Sequence, residues 1–133
     1  MMEYKDLPEE IRGLMEHHGH LCFGVLLGYR ACKYAVDIIG MSENMKVIID
    51  KGGCGNDAVS YLLNCTTENG RLVVREGKGQ YWSFFNYDED EGISLKLNPV
   101  IISQLPKDKE QAEKYIMELP GNLLFMAEPF FEA

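Results

Sequence analysis

The stretch "FGVLLGYRACKYAVDIIG", residues 23 to 40, constrains this chain more than any other. It is heavily apolar with helical periodicity, and Gly24, Gly28, Ala31 and Ala35 recur at spacings of four, three and four. Those spacings line the four small residues along one helix face. Each interior glycine costs about 1 kcal/mol relative to alanine. A helix that carries two of them does so where another backbone packs close. The pattern predicts a central, mostly buried helix from Phe23 to about Ile39, ended by Gly40. The close contact can lie within the chain or between two copies of it.

The remaining pattern is arranged around that helix. "DLPEEIRGLMEHHG" reads as a short helix capped by Asp6, with Pro8 in its first turn, an apolar stripe of Ile11, Leu14 and Met15, and Gly19 as its end. "MKVIID" (45–50) is a strand by its β-branched content. Glycines then lead into a second helix from about Asn56 to Cys65, which Asn56 or Asp57 can cap. "GRLVVREGKGQYWSFFNYD" is expected to form a hairpin, with strands over 71–76 and 80–87 and a turn at Gly77–Gly79. "DEDEG" is an exposed acidic turn, and "ISLKLNPVI" is a strand before Pro99. "KDKEQAEKYIMEL" is a polar-faced helix stopped at Pro120–Gly121, followed by a last strand in "NLLFMAEPFF". Helices come first and a mostly antiparallel sheet later, so the class is α+β, as one domain over residues 1–133. Tyr81, Trp82, Phe84 and Phe85 crowd one strand, where core packing is a commoner role than lining a ligand pocket.

Charge narrows the function. The 21 acidic residues outnumber the 13 basic ones, for a net charge of −8. Such a surface repels phosphate backbones and anionic membranes, which argues against both as partners. No segment approaches the roughly 18 apolar residues that a membrane-spanning helix requires. The opening "MMEYKDLPEE" has no hydrophobic stretch of a signal peptide. A cytoplasmic, reducing location is expected, in which the four cysteines stay as thiols and metal binding or thiol chemistry is the first reading.

All three histidines fall at positions 17, 18 and 20, beside Cys22 and directly ahead of the apolar helix. His18, His20 and Cys22 alternate, which suits a turn or extended segment. The free N–H groups and dipole of a helix start lower the pKa of a thiol placed there. Thiolate with neutral imidazole is the ligand set that zinc prefers and that iron, nickel and copper accept. The bland alternative is a His-rich surface turn beside a cysteine that is merely a small apolar residue. His17 reads as a surface or capping residue.

"GGCGND" repeats the setting. Cys54 ends a glycine-rich turn that opens a helix, and Asp57 in the first turn can cap that helix or orient a histidine. A structural zinc site would carry paired C-x-x-C ligands, and the chain has none. His18, His20, Cys22 and Cys54 therefore suit an open site with a free coordination position. For Cys54 the plain alternative is a tight turn that needs a small residue. Cys32, mid-helix, reads as core; Cys65 reads as core or as a redox partner.

These motifs resemble one family. "HGHLCFG", with Gly28 following, is similar to the His-Gly-His-x-Cys-Pro-Gly-x-x-x-Gly signature of the FmdE-like family, named for the E subunit of formylmethanofuran dehydrogenase. "CGNDAV" followed by "NCT" resembles its Cys-x-x-Asp-Ala and Gly-Cys-Thr segments, and "EGKGQYWSFF" its Gly-Lys before an aromatic strand. The resemblance implicates His18, His20, Cys22, Cys54, Asp57, Cys65, Thr66 and Lys78. It implies Asp57 as a catalytic residue, Thr66 and Lys78 as cofactor contacts, a zinc or other transition-metal ion, and an intertwined homodimer. A larger oxidoreductase is the implied partner, with a molybdenum or tungsten cofactor as conceivable cargo. Phe23 stands where the family usually has proline, Ser60 replaces a frequent glutamine, and Asn64 replaces the glycine before Cys65. No cysteine follows Cys65, so the paired-cysteine finger of some members is missing from this sequence.

Three functions compete. The first is a small metal-dependent enzyme or accessory subunit linked to one-carbon or molybdenum/tungsten-cofactor metabolism. The second is a metal or metal-cofactor carrier or sensor without turnover. The third, ranked last, is a reversible Cys22–Cys54 disulfide, which needs the two Cα atoms within about 7 Å.

Overall fold

The computed structural model describes residues 23–50, 55–75 and 81–130. The central helix is present as α1, Phe23–Ile39. Val25, Leu26, Ala31 and Ala35 are fully buried, and Gly28 and Cys32 are buried with them. Its most extensive helix contact is with α2, Gly55–Leu63. The described part of the small-residue stripe is thus consumed inside the chain, which is why the glycine penalty is tolerated.

Five strands follow the chain: β1 Met45–Asp50, β2 Leu72–Arg75, β3 Tyr81–Asn86, β4 Glu91–Leu97 and β5 Phe125–Pro129. They form one sheet in the order β2-β1-β3-β4-β5. Antiparallel pairing sets Val47 opposite Phe84 and Ile49 opposite Trp82, then Phe84 opposite Ile93 and Trp82 opposite Leu95. These residues belong to the core shared with α1. With three helices between or after the later strands, α3 Pro99–Gln104, α4 Lys109–Glu118 and α5 Gly121–Leu124, the class is α+β as expected.

The expected hairpin does not form. β1 lies between β2 and β3, and β2 pairs with β1 in parallel, Val47 opposite Leu72. The reason is visible in burial: Met45, Val47, Ile48 and Ile49 are buried on both faces of β1, as befits a central strand with a neighbour on each side. β2 is short, and its exposed Val74 and Arg75 suit an edge. β1, α2 and β2 therefore form a strand–helix–strand crossover.

Smaller differences have local causes. α2 stops at Leu63 because Asn64 is left-handed, φ 54°. That conformation suits glycine first and asparagine second, so the glycine-to-asparagine departure is conservative in backbone terms. The β4 segment ends at Leu97, where Asn98 Oδ1 accepts from Val100 N at 3.1 Å and starts α3 at Pro99. Asp108 caps α4 through Gln111 N at 3.0 Å. The last strand starts only at Phe125, after the helical turn of α5.

The carboxy-terminal elements close over α1. The Arg30 guanidinium donates to the carbonyls of Ile116, Met117 and Leu119, which are open acceptors at the end of α4. The Phe125 ring stacks on Tyr34 at 6.3 Å and meets Trp82 edge-on at 5.7 Å. Burying a side chain such as Phe125 stabilises the fold by about 1.5–3 kcal/mol. Trp82 and Phe84 are core residues, as expected for that strand.

Candidate functional site

The two helices that follow Cys22 and Cys54 run in the same direction. α1 ends against the Asn86 end of β3, where Asn86 Nδ2 donates to the Ile39 carbonyl at 3.0 Å. Asn86 is the partner of Met45, so α1 finishes where β1 begins. After β1, only residues 51–54 separate Asp50 from the start of α2. α2 then returns: Cys65 Sγ, just past its end, donates to the Met45 carbonyl at 3.5 Å. Cys32 and Val36 of α1 share a crevice with Leu62 and Leu63 of α2. Both helices thus begin beyond the Asp50–Tyr81 end of the sheet and finish at the Met45–Asn86 end. β2, parallel to β1, also ends at Arg75 on the Asp50 side, with Arg75 Nη2 3.6 Å from Asp50 Oδ1.

The expected site residues are divided by this geometry. His18, His20, Cys22, Cys54 and Lys78 lie outside the described residues. The elements that bound them (the start of α1, the start of α2, the end of β2 and the start of β3) all stand at the Asp50–Tyr81 end. Asp57 falls in the first turn of α2, at that same end. Thr66 does not: its carbonyl accepts from Leu72 N at 3.0 Å, beside the Met45 end. Its hydroxyl accepts from Asn69 N at 3.0 Å while its own N–H donates to Asn69 Oδ1, a reciprocal pair that holds the 64–71 turn. Among the described residues no group of three His, Cys, Asp or Glu side chains could hold a metal ion.

The two described cysteines are core groups. Cys32 and Cys65 are free thiols and essentially without exposure. Burial pushes both thiols above their ordinary range, which disfavours thiolate. For Cys65 the Arg71 guanidinium opposes that rise with a smaller effect. Of the two readings open for Cys65, the core role is the one its surroundings favour. Sequence reasoning passes over Arg71 because no motif or period links it to Cys65; the turn that begins at Asn64 brings them together.

The model of the FmdE family, described as "Molybdenum formylmethanofuran dehydrogenase operon", matches residues 17–124. The chain belongs to the FmdE family. The match takes in His18, His20, Cys22, Cys54, Asp57, Thr66 and Lys78. An FmdE-like protein of a tungsten formylmethanofuran dehydrogenase, from Syntrophus aciditrophicus, has a similar crystal structure, with a TM-score of 0.74 at 24% sequence identity. The superposition covers 99% of this chain and 74% of that one, so the shared fold extends over almost every residue of the sequence. No curated protein matches the sequence. Among the described residues no helix is long and apolar enough to cross a membrane.

Proposed function

We propose that this FmdE-family protein is a metal-binding accessory subunit that works beside a larger formylmethanofuran-dehydrogenase-type oxidoreductase in the cytoplasm. His18, His20, Cys22 and Cys54 hold one transition-metal ion, most simply zinc. The partnership is supported by the family's operon description and by the tungsten-enzyme description of the similar structure. The metal reading is carried by one observation: α1 and α2, each preceded in sequence by a cysteine, start at the same end of the sheet. Imidazole and thiolate together form a zinc-type donor set, and a free position on such an ion can polarise a substrate oxygen. In this proposal Asp57 orients a ligand histidine or moves a proton, and Lys78 contacts an anionic group of the cofactor or substrate. Thr66 contributes least, since Asn69 already engages its hydroxyl. A homodimer belongs to the proposal through the family resemblance, without help from the small-residue stripe.

Metal analysis of untagged protein tests this. The expected content is about one ion per chain, reduced in Cys22→Ser and Cys54→Ser but kept in Cys32→Ala. A content below about 0.2 per chain that Cys22→Ser leaves unchanged would remove the reading. Reversible loading with no turnover in the presence of the dehydrogenase would favour the carrier. Light scattering at twice the chain mass is expected, and a monomer at micromolar concentration contradicts the dimer.

A further inference from the structure

At the sheet end opposite the helix starts, the chain forms a groove of about 390 Å³ lined by Asn44, Met45, Lys46, Gly70, Arg71 and Tyr87. That volume lies within the roughly 300–1,000 Å³ of small-molecule sites. The Arg71 backbone is fixed, its N–H on Asn69 Oδ1 at 2.9 Å and its carbonyl on Val47 N at 2.8 Å. Among the described residues no hydrogen bond or ion pair engages its half-buried guanidinium, although the chain carries 21 acidic residues. Tyr87 is 48% exposed, and its ring is braced by Phe85 at 4.8 Å. At Gly70, φ +78°, a Cβ would meet nothing within 4 Å, so this wall is open backbone. The nearby Asp88 carboxylate is turned to Asn44 Nδ2 at 2.8 Å.

We propose that this groove binds a small ligand that carries an oxyanion, carboxylate or phosphate, on a flat ring. The Arg71 guanidinium takes the oxyanion by charge-assisted hydrogen bonds, and the Tyr87 ring stacks on the ligand ring. The acidic turn from Asp88 to Glu91 follows directly on Tyr87 and repels a bare anion, so the ring contact is required for net binding. The groove does not depend on the proposed metal ion, which belongs to the other end of the sheet.

The test is titration of the full chain with phenyl phosphate, benzoate and inorganic phosphate, followed by backbone amide shifts. One of the two aromatic probes is expected to saturate below about 10 mM, with shifts confined to residues 44–46, 70–72 and 87. The tighter aromatic probe identifies the oxyanion. Arg71→Gln should weaken binding about ten-fold or more, and Tyr87→Ala should also weaken it. Arg75→Gln, an exposed arginine at the other end, should leave it unchanged. No saturation by either aromatic probe, inorganic phosphate binding as tightly as phenyl phosphate, or wild-type affinity in Arg71→Gln would each overturn the proposal. Should Arg71→Gln not fold, Tyr87→Ala decides alone.

Discussion

The Asn86 side-chain amide donates to the Ile39 carbonyl at 3.0 Å, joining the last residue of β3 to the last residue of α1. The same amide reaches the Gly40 carbonyl at 3.1 Å, and its oxygen accepts from the N–H groups of Asp88 and Glu89 at 3.0 and 3.2 Å. Asn86 has no exposure, so each of these backbone groups depends on it. Asn86→Leu leaves several buried polar groups unpaired and should cost about 3 kcal/mol in urea unfolding. Asn86→Asp should not rescue it, because a carboxylate cannot donate to two carbonyls. A loss under about 1 kcal/mol would show that water replaces the amide.

Gly92 is the second position where one change should tell. A Cβ there would collide with the Phe130 carbonyl oxygen and stand 2.7 Å from Phe85 Cδ2. The Gly92 carbonyl also accepts from Phe130 N at 3.1 Å, so backbone and ring are both fixed. Gly92→Ala should cost about 1–3 kcal/mol, with the amide of Phe130 exchanging faster with solvent. Unchanged exchange at Phe130 would contradict the crowding.

The buried thiols give a pH dependence of fixed sign. Burial raises the Cys32 and Cys65 pKa values in the folded state, so the unfolded chain releases their protons first. Stability from this source is complete below the ordinary thiol value of 9.0 and is lost as pH rises above it. The melting temperature should therefore fall between about pH 8 and pH 10, and less steeply in Cys32→Ala. In native protein a thiol reagent should leave Cys32 and Cys65 unmodified, and denaturation should expose all four cysteines. Rapid native labelling of Cys65 would instead make it a redox candidate again.

The sequence makes legible what is local. The periodicity from Phe23 to Ile39, the β-branched run at 45–50 and the polar helix before Pro120 each depend on residues a few positions apart, and each appears in the structure. Strand neighbours depend on residues far apart, and there the sequence misleads: the glycines at 77 and 79 suggest a hairpin, while β2 pairs with β1 instead. A usable signal is present in the order strand 45–50, helix 55–63, strand 72–75, which is the pattern of a parallel crossover. The candidate site divides the same way. A cysteine ahead of each helix is readable from spacing. That both helices start at one end is not, because it follows from the crossover. Thr66 enters the candidate set by motif alone, and the left-handed Asn64 turn carries it to the opposite end.

The clasp of α1 by Arg30 on residues 116, 117 and 119, and by Tyr34 on Gly121 and Phe125, has a bearing on biosynthesis. A nascent chain cannot complete the surroundings of this early helix until residues 116–125 have left the ribosome. Its apolar flank stays uncovered through most of translation, a period in which chaperones can hold it. Maturation of the amino-terminal half is therefore a late event, and any ion recruited at the helix starts is loaded onto a finished polypeptide.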